Sequence, residues 1–275
     1  MPGERLEDAL AAARQLAAAG IGSIVTRLGE SLTGETRPDE VCDHYLGAFD
    51  QIQREGLPTV VSVKPTQLGL DRSYDICLEN LQRLAQRAVE TGSQLWIDME
   101  DSSYVDRTLA LYRQVRSLHE PVGIAIQAYL RRAPQDIEGL LNLRPMIRLV
   151  KGAYAESPDV AHSAKRDVDS QYLANAARLL DAARLGQVVP IFGTHDMSIV
   201  RQIVARASAL ELSRGAFELH MLYGIRATDQ RALASEGHVV RCLISYGEQW
   251  FPWYMRRLAE RPANVWFVMR SMFMK

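Results

Sequence analysis

The stretch MIRLVKGAY, residues 146–154, shows most clearly the pattern on which the prediction of the fold rests. It begins as a short apolar strand and ends in the polar sequence Lys151-Gly152, and Arg148 stands inside the apolar run. Burying an unpaired guanidinium is costly. We therefore expect Arg148 to meet something polar in the interior, which is either a bound ligand or another side chain of the protein.

The same pattern of strand, polar end and helix repeats in both directions from this stretch. Eight strands are predicted, at residues 23–28, 59–64, 94–99, 122–128, 146–151, 188–193, 217–222 and 239–244. Helical periodicity is found at 6–18, 37–55, 74–91, 103–118, 134–141, 160–184, 197–210 and 227–234. Strict alternation implies parallel strands with right-handed crossovers. Eight such units favour a closed (β/α)8 barrel, with a doubly wound open sheet as the alternative, because periodicity does not show closure.

Polar residues cluster at or near the carboxyl ends of five of these strands. They are Lys64, Asp98, Glu100, Gln127, Arg148, Lys151, Thr194 and His195. In a barrel those ends converge on one mouth, where such enzymes bind their substrates. The set allows Schiff-base chemistry on Lys64 or Lys151, or a bound organic cofactor. A metal site using His195 is disfavoured, because no closely spaced ligand motif accompanies it.

Composition indicates an ordinary globular protein with a formal net charge of −1. No basic footprint is present, so nucleic acid is not an expected partner. Three scattered cysteines suit a reducing compartment, the N-terminus does not resemble a signal peptide, and no apolar run is long enough to span a membrane. We expect a cytoplasmic protein whose apolar tail, residues 265–275, packs on its own domain more readily than on a membrane face.

The segment YGEQWFPWYMRRLAERPAN, residues 246–264, is predicted to be a turn at 246–248 followed by a helix. Pro252 suits the first helical position and Pro262 marks the end. Arg256 and Glu260 share a face, and Arg257 lies beside them. Adjacent arginines near four aromatic residues suit the gripping of a small carboxylate. The alternative is a solvated helix with an ordinary salt bridge.

Together with VKPTQLG (63–69), IQAY (126–129), RLVKGAY (148–154) and FGTHD (192–196), this segment closely resembles the flavin-dependent proline dehydrogenase family. The resemblance extends from about residue 23 to 270. It implies a distorted (β/α)8 barrel that carries FAD at the strand carboxyl ends and the last helix over the mouth. Residues 1–275 would form a single domain, with an N-terminal helix at 1–20 and the barrel at 21–275.

The resemblance also implies roles for individual residues. Arg148 would donate to flavin N5, Gln127 would contact the ring, and Asp98 would lie beside the substrate and order Lys64 and the arginines. The cofactor residues would be Met99, Gln127, Arg148, Val150, Lys151, Gly152, Ala153, Thr194 and His195. The substrate residues would be Lys64, Tyr154, Leu222, Leu243, Arg256, Arg257 and Glu260.

The reaction implied by the resemblance is oxidation of L-proline to 1-pyrroline-5-carboxylate by hydride transfer to flavin. A quinone at the membrane surface, or another electron acceptor, would reoxidise the flavin, and the protein would be either cytoplasmic or peripheral at the inner membrane face. The chain has no room for an aldehyde dehydrogenase module, which implies the monofunctional form and a separate enzyme for the semialdehyde.

One departure from the family bears on specificity. The last strand of the family usually reads R-x-Y-x-P, whereas here Leu243 stands at the tyrosine position and Ser245 at the proline position. Leu243 either is tolerated drift or admits a proline analogue such as hydroxyproline. Ala155, where some members have tryptophan near the flavin, alters only flavin packing.

Overall fold

The computed structural model describes residues 1–29 and 37–248 of the 275-residue chain. Its described part contains eight short strands: β1 (Gly22–Arg27), β2 (Thr59–Val63), β3 (Leu95–Ile97), β4 (Val122–Gln127), β5 (Met146–Val150), β6 (Val189–Gly193), β7 (Glu218–Leu222) and β8 (Val239–Tyr246). Each strand pairs in parallel with its neighbours, and β8 pairs with β1. The predicted closed barrel is confirmed, and the open-sheet alternative is wrong.

Helices alternate with the strands and cover the outside of the barrel. They are α1 (Leu6–Ala17), α2 (Pro38–Glu55), α3 (Tyr74–Glu90), α4 (Val105–Leu118), α5 (Ala133–Glu138), α6 (Lys165–Arg184), α7 (Met197–Ala209) and α8 (Ala227–Ser235). The buried faces of these helices share one apolar core with outward-facing strand residues. Helix α1 packs against both β1 and β8 and so covers the seam where the barrel closes.

The helix predicted over the mouth falls in residues 249–275 and lies outside the described residues. Among the helices that are described, none has the length and apolar character needed to cross a membrane.

Three predicted boundaries are wrong, the ends of β3 and β8 by two residues and the start of α6 by five. Strand β8 continues to Tyr246, whose carbonyl accepts a hydrogen bond from the Leu28 amide at 2.7 Å, so the turn begins only at Gly247. Strand β3 ends at Ile97, which places Asp98 in the loop that follows. Helix α6 begins at Lys165 and not at residue 160, because residues 160–162 pair with the backbone of residues 129–131.

The barrel interior holds a small apolar cluster that is separate from the outer core. Its members are Ile24, Val60, Trp96 and Ile191, with Met146 and Leu243 packed against them. Trp96 has the largest side chain among the fully buried residues of the described part. The facing residue on β4 is Gly123, and a Cβ there would lie 2.5 Å from the indole ring. The indole therefore occupies space that only a glycine leaves open.

A charged cluster lies beside this apolar layer. Glu218 accepts hydrogen bonds from Arg241 Nε at 2.8 Å and from His220 Nε2 at 2.9 Å. The His220 ring also meets the Trp96 ring edge-on, with centroids 5.7 Å apart. Burial lowers the pKa of His220 to about 4, although Glu218 opposes the shift. Burial alone would raise the pKa of Glu218, but the hydrogen bonds and charges of His220 and Arg241 outweigh it and lower the pKa.

Gly123→Ala is expected to lower the free energy of unfolding by about 1–3 kcal/mol, because the new methyl group overlaps the Trp96 ring. Urea unfolding measures the change. Gly47→Ala in α2 is the matched control: no atom lies within 4 Å of its added Cβ, and alanine is about 0.5–1 kcal/mol better than glycine inside a helix. A Gly123→Ala protein as stable as the parent would contradict the packing described for Trp96.

His220 is expected to make stability fall as the pH drops below about 6.5. The unfolded chain takes up a proton at this histidine near pH 6.5, whereas the folded chain does so only near pH 4. Between pH 4 and 6.5 the unfolded state therefore binds more protons than the folded state. The stability that the neutral His220 contributes is complete above about pH 6.5 and is lost as the pH falls towards 4. The slope reaches about 1.4 kcal/mol per pH unit.

His220→Gln keeps a donor for Glu218 and removes the titration. Comparing its unfolding free energy with that of the parent between pH 4.5 and 6.5 isolates the effect, and His119→Gln, outside the barrel, controls for removing any histidine. Parallel pH profiles for the parent and His220→Gln would contradict the buried neutral state of His220.

Candidate active site

Arg148 is the central charged group of the barrel interior and is 5% exposed. Its Nη2 forms a short ion pair with Asp98 and donates to Ser62 Oγ at 3.1 Å. Ser62 Oγ in turn donates to the same Asp98 oxygen at 2.9 Å. Burial lowers the pKa of Arg148, and the negative charge of Asp98 opposes that shift. The guanidinium nevertheless stays charged, so its interior partner is a carboxylate of the protein itself.

Asp98 makes a contact that the family resemblance did not imply, which is its ion pair with Arg148. The expected contacts of Asp98 with Arg256 and Arg257 fall outside the described residues. Lys64 lies half-buried directly after β2 and has no ion-pair partner among the described residues.

Arg148 and Gln127 each have polar atoms that are left for a ligand. Both hydrogen bonds of Arg148 leave from Nη2, so its Nε and Nη1 hydrogens have no acceptor within the described part of the chain. Gln127 donates through Nε2 to the carbonyls of Met99 at 3.1 Å and Glu100 at 3.2 Å. Its Oε1 is buried and has no hydrogen-bond partner in the same part of the chain. An unpaired buried acceptor is costly, so this place fits a ligand that offers a donor.

The loop after β5 is shaped against the segment that follows β4. Gly152 has φ +114°, and a Cβ there would lie 2.2 Å from the ring of Tyr129. The Tyr129 hydroxyl donates to the carbonyl of Tyr154 at 3.2 Å. Glycine was predicted here for close approach to a cofactor, and the structure adds a second requirement, which is packing on Tyr129. Val150 at the end of β5 is half-buried, as are Ala153 and Tyr154 in this loop.

Lys151 is held between two carboxylates beside the mouth. Its Nζ forms a short ion pair with Asp169 and lies 3.3 Å from Asp196. Burial alone would raise the pKa of both acids, but the hydrogen bond and charge of Lys151 outweigh it and lower the pKa of each. A Schiff-base nucleophile must be a free amine, so these contacts disfavour the lyase chemistry for Lys151.

The residues after β6 form a rigid turn towards β7. His195 Nε2 accepts the backbone N–H of Leu222 at 2.8 Å, which assigns the proton of the neutral ring to Nδ1. Thr194 Oγ1 accepts the N–H of Asp196 at 3.1 Å. Asp196 also caps α7 by accepting from the Ser198 N–H. The side chains of Thr194, His195 and Asp196, which follow β6, are thus held by hydrogen bonds to backbone N–H groups.

The remaining predicted site residues are distributed over three places. Met99 is buried directly after β3, and Leu222 is half-buried at the end of β7. Leu243 lies in the middle of β8 and packs against the interior cluster that contains Trp96. Arg256, Arg257 and Glu260 lie outside the described residues.

Sequence reasoning missed the groups that surround Arg148. Ser62 binds its guanidinium, and Trp96 lies with its ring 5.0 Å from the Arg148 Cζ. A signal existed, because side chains two positions apart in a strand share a face. Trp96 precedes Asp98 by two residues and Ser62 precedes Lys64 by two, so each could have been placed on the inward face.

Comparison with known proteins gives consistent results. The family model described as Proline dehydrogenase matches residues 9–270. Proline dehydrogenase 1 of Bacillus subtilis (strain 168) is 36% identical over 276 residues, which cover 99% of this chain and 89% of that protein. Proline dehydrogenase of Deinococcus radiodurans is 35% identical over 275 residues, which cover 98% of this chain and 87% of that protein.

A solved structure supports the same fold. Proline utilization A (PutA) from Bdellovibrio bacteriovorus, inactivated by N-propargylglycine, superposes with a TM-score of 0.85 at 23% identity. The match covers 94% of this chain and 32% of that one, so the chain spans about a third of the length of PutA. The family model and the two close relatives each match nearly the whole barrel, and the chain belongs to the proline dehydrogenase family.

Proposed function

We propose that this protein oxidises L-proline to 1-pyrroline-5-carboxylate and that it uses bound FAD as the hydride acceptor. Family membership supports the reaction class, which is oxidation of a CH–NH donor. The observation that carries the proposal is that the Arg148 Nε and Nη1 hydrogens and Gln127 Oε1 have no hydrogen-bond partner among residues 1–29 and 37–248.

The two sites fit an isoalloxazine ring. Such a ring has nitrogen and oxygen acceptors along one part of its edge and an N–H donor on another, and when bound it supplies the two-electron acceptor for the substrate hydride. Arg148 offers donors, and Gln127 Oε1 offers a buried acceptor. The carbonyls of Met99 and Glu100 fix the direction of the Gln127 amide, so its acceptor is set before any ligand arrives.

Arg148 would stabilise negative charge as it develops on the acceptor. A preorganised cation in a dry site acts more strongly than it does in water. Asp98 and Ser62 hold the guanidinium from one end, and no other residue that the structure describes accepts from the remaining N–H groups, which would face the ligand. Asp98 thereby serves the reaction by holding Arg148 as well as by lying near the substrate.

The other cofactor contacts are proposed at the ends of β3, β5 and β6. Lys151 is positioned by its two carboxylates, and His195 by the Leu222 amide. We assign the remaining cofactor contacts to Met99, Val150, Gly152, Ala153 and Thr194.

Substrate binding is proposed to use a cation cluster and an apolar wall. Lys64 has no ion-pair partner among the described residues and would bind the substrate carboxylate together with Arg256 and Arg257, which Glu260 would hold in place. Tyr154 and Leu222 would form the wall around the ring of the substrate.

Leu243 bears on which cyclic amino acid is oxidised. It packs against the interior cluster and replaces the tyrosine usual in the family. A change of a few methylene groups in a pocket alters discrimination by only about 1–3 kcal/mol. Proline therefore remains the proposed substrate, and hydroxyproline is the second candidate.

We further propose that residues 1–275 act as one cytoplasmic catalytic unit whose flavin is reoxidised by a quinone at the membrane surface. The semialdehyde product would pass to a separate dehydrogenase. These partners follow from the family resemblance.

The first test is the absorbance spectrum of the purified protein, taken without oxygen before and after L-proline or trans-4-hydroxy-L-proline is added. A flavin spectrum that L-proline bleaches is expected. Bleaching by hydroxyproline but not by L-proline would identify hydroxyproline as the preferred substrate. A colourless protein that borohydride traps with substrate would overturn the proposal in favour of a lyase.

A pair of variants links the reaction to the proposed site. Arg148→Lys keeps the charge but loses the planar guanidinium, whose Nη2 binds Asp98 while Nε and Nη1 point elsewhere, so the rate of bleaching is expected to fall about 10²-fold. Arg206→Lys, on an exposed ion pair with Asp181, is the matched control. Equal rates for the two variants would contradict the role given to Arg148.

A further inference from the structure

Trp96 is the one aromatic ring in contact with the Arg148 guanidinium in the described part of the chain. The Arg148 Cζ lies 5.0 Å from the centroid of the indole ring. A cation over the face of tryptophan is attracted by the ring quadrupole, most strongly where both are removed from water. Trp96 is fully buried and Arg148 nearly so. Trp96 therefore fixes one face of the guanidinium, while Asp98 and Ser62 fix its Nη2 end.

The indole ring is itself held from several sides. Gly123 on the neighbouring strand leaves the space that the ring fills. The Trp96 Nε1 donates to Gln94 Oε1 at 3.3 Å, and the ring of His220 meets it edge-on. A ring held in this way cannot turn without displacing β4 or β7, so it is a rigid platform.

These contacts together define the plane of the guanidinium. The guanidinium is constrained separately by its ion pair with Asp98, its hydrogen bond to Ser62 and its contact with the Trp96 ring. Its Nε and Nη1 have no acceptor among the described residues. Loss of the ring face would let the guanidinium tilt about its Nη2 anchor. The free N–H groups would then lose their direction even though the charge remained.

We propose that Trp96 is a positioning residue, which aims the free N–H groups of Arg148 at the flavin and thereby sets the reduction potential of that flavin. The proposal rests on the proposed function, because it requires FAD beside Arg148. Trp96 touches neither substrate nor flavin in this account and acts only through Arg148.

The test measures the two-electron midpoint potential of bound FAD, together with kcat and KM for L-proline, in the holoenzyme. Trp96→Leu removes the ring face, and a cation that is aimed less well stabilises the reduced flavin less. The potential is expected to become more negative by about 30 mV, which is a tenfold change in the equilibrium constant of a two-electron couple. We expect kcat to fall about tenfold while KM changes less than about twofold, because the substrate carboxylate is bound elsewhere.

Two further variants separate positioning from packing. Trp96→Phe keeps a ring with a weaker quadrupole, so the potential of the flavin should become more negative by a smaller amount. This variant replaces Trp96→Leu in the test if Trp96→Leu does not fold. Ile24→Ala opens a cavity in the same interior cluster and does not remove the face under Arg148; its potential should equal that of the parent.

Unchanged potentials in both Trp96 variants, or an equal shift in Ile24→Ala, would overturn the proposal. Failure of the proposed function has a different result, because the parent protein would then lack flavin or would not be bleached by L-proline. The potential is measured by chemical reduction and does not depend on turnover, so the two failures are distinguishable.

Discussion

The buried ion pair between Arg148 and Asp98 is the interaction on which the interior of this barrel depends. A guanidinium among apolar strand residues is tolerated only with a charged partner and further hydrogen bonds, which Asp98 and Ser62 provide. Removing one partner of such a pair leaves a buried charge and typically costs about 3–5 kcal/mol. The pair thus stabilises the same geometry that presents the remaining Arg148 hydrogens to a ligand, so stability and chemistry share one constraint.

The residues around this pair explain why the interior is neither a plain apolar core nor an open channel. Trp96 separates the pair from the second charged cluster of Glu218 and Arg241, and Gly123 makes room for the indole. On the mouth side, the buried acceptor of Gln127 has no partner within the described part of the chain. Gln127 ends β4, so this acceptor lies at the carboxyl ends of the strands, which is where a barrel of this kind binds its ligand.

Most of the fold could be predicted from local pattern, because strands, turns and helices repeat with clear periods and the strand ends carry polar residues. Arg148 and Gln127 were also recognisable as buried polar groups. Their partners were not, since Asp98 lies 50 residues from Arg148 and Ser62 lies 86 residues away. Those contacts depend on which inward faces meet across a closed barrel. Likewise, the pairing of residues 160–162 with 129–131 competes with helix formation, and only tertiary structure decides it.

The most direct measurement of the central claim is a crystal structure of the protein with its cofactor bound. We expect the isoalloxazine ring of FAD at the carboxyl ends of the strands, with Arg148 Nε or Nη1 and Gln127 Oε1 within hydrogen-bonding distance of its edge, and with the Arg148 pair to Asp98 intact. A flavin bound elsewhere, or an Arg148 whose remaining hydrogens are all taken by the protein, would contradict it.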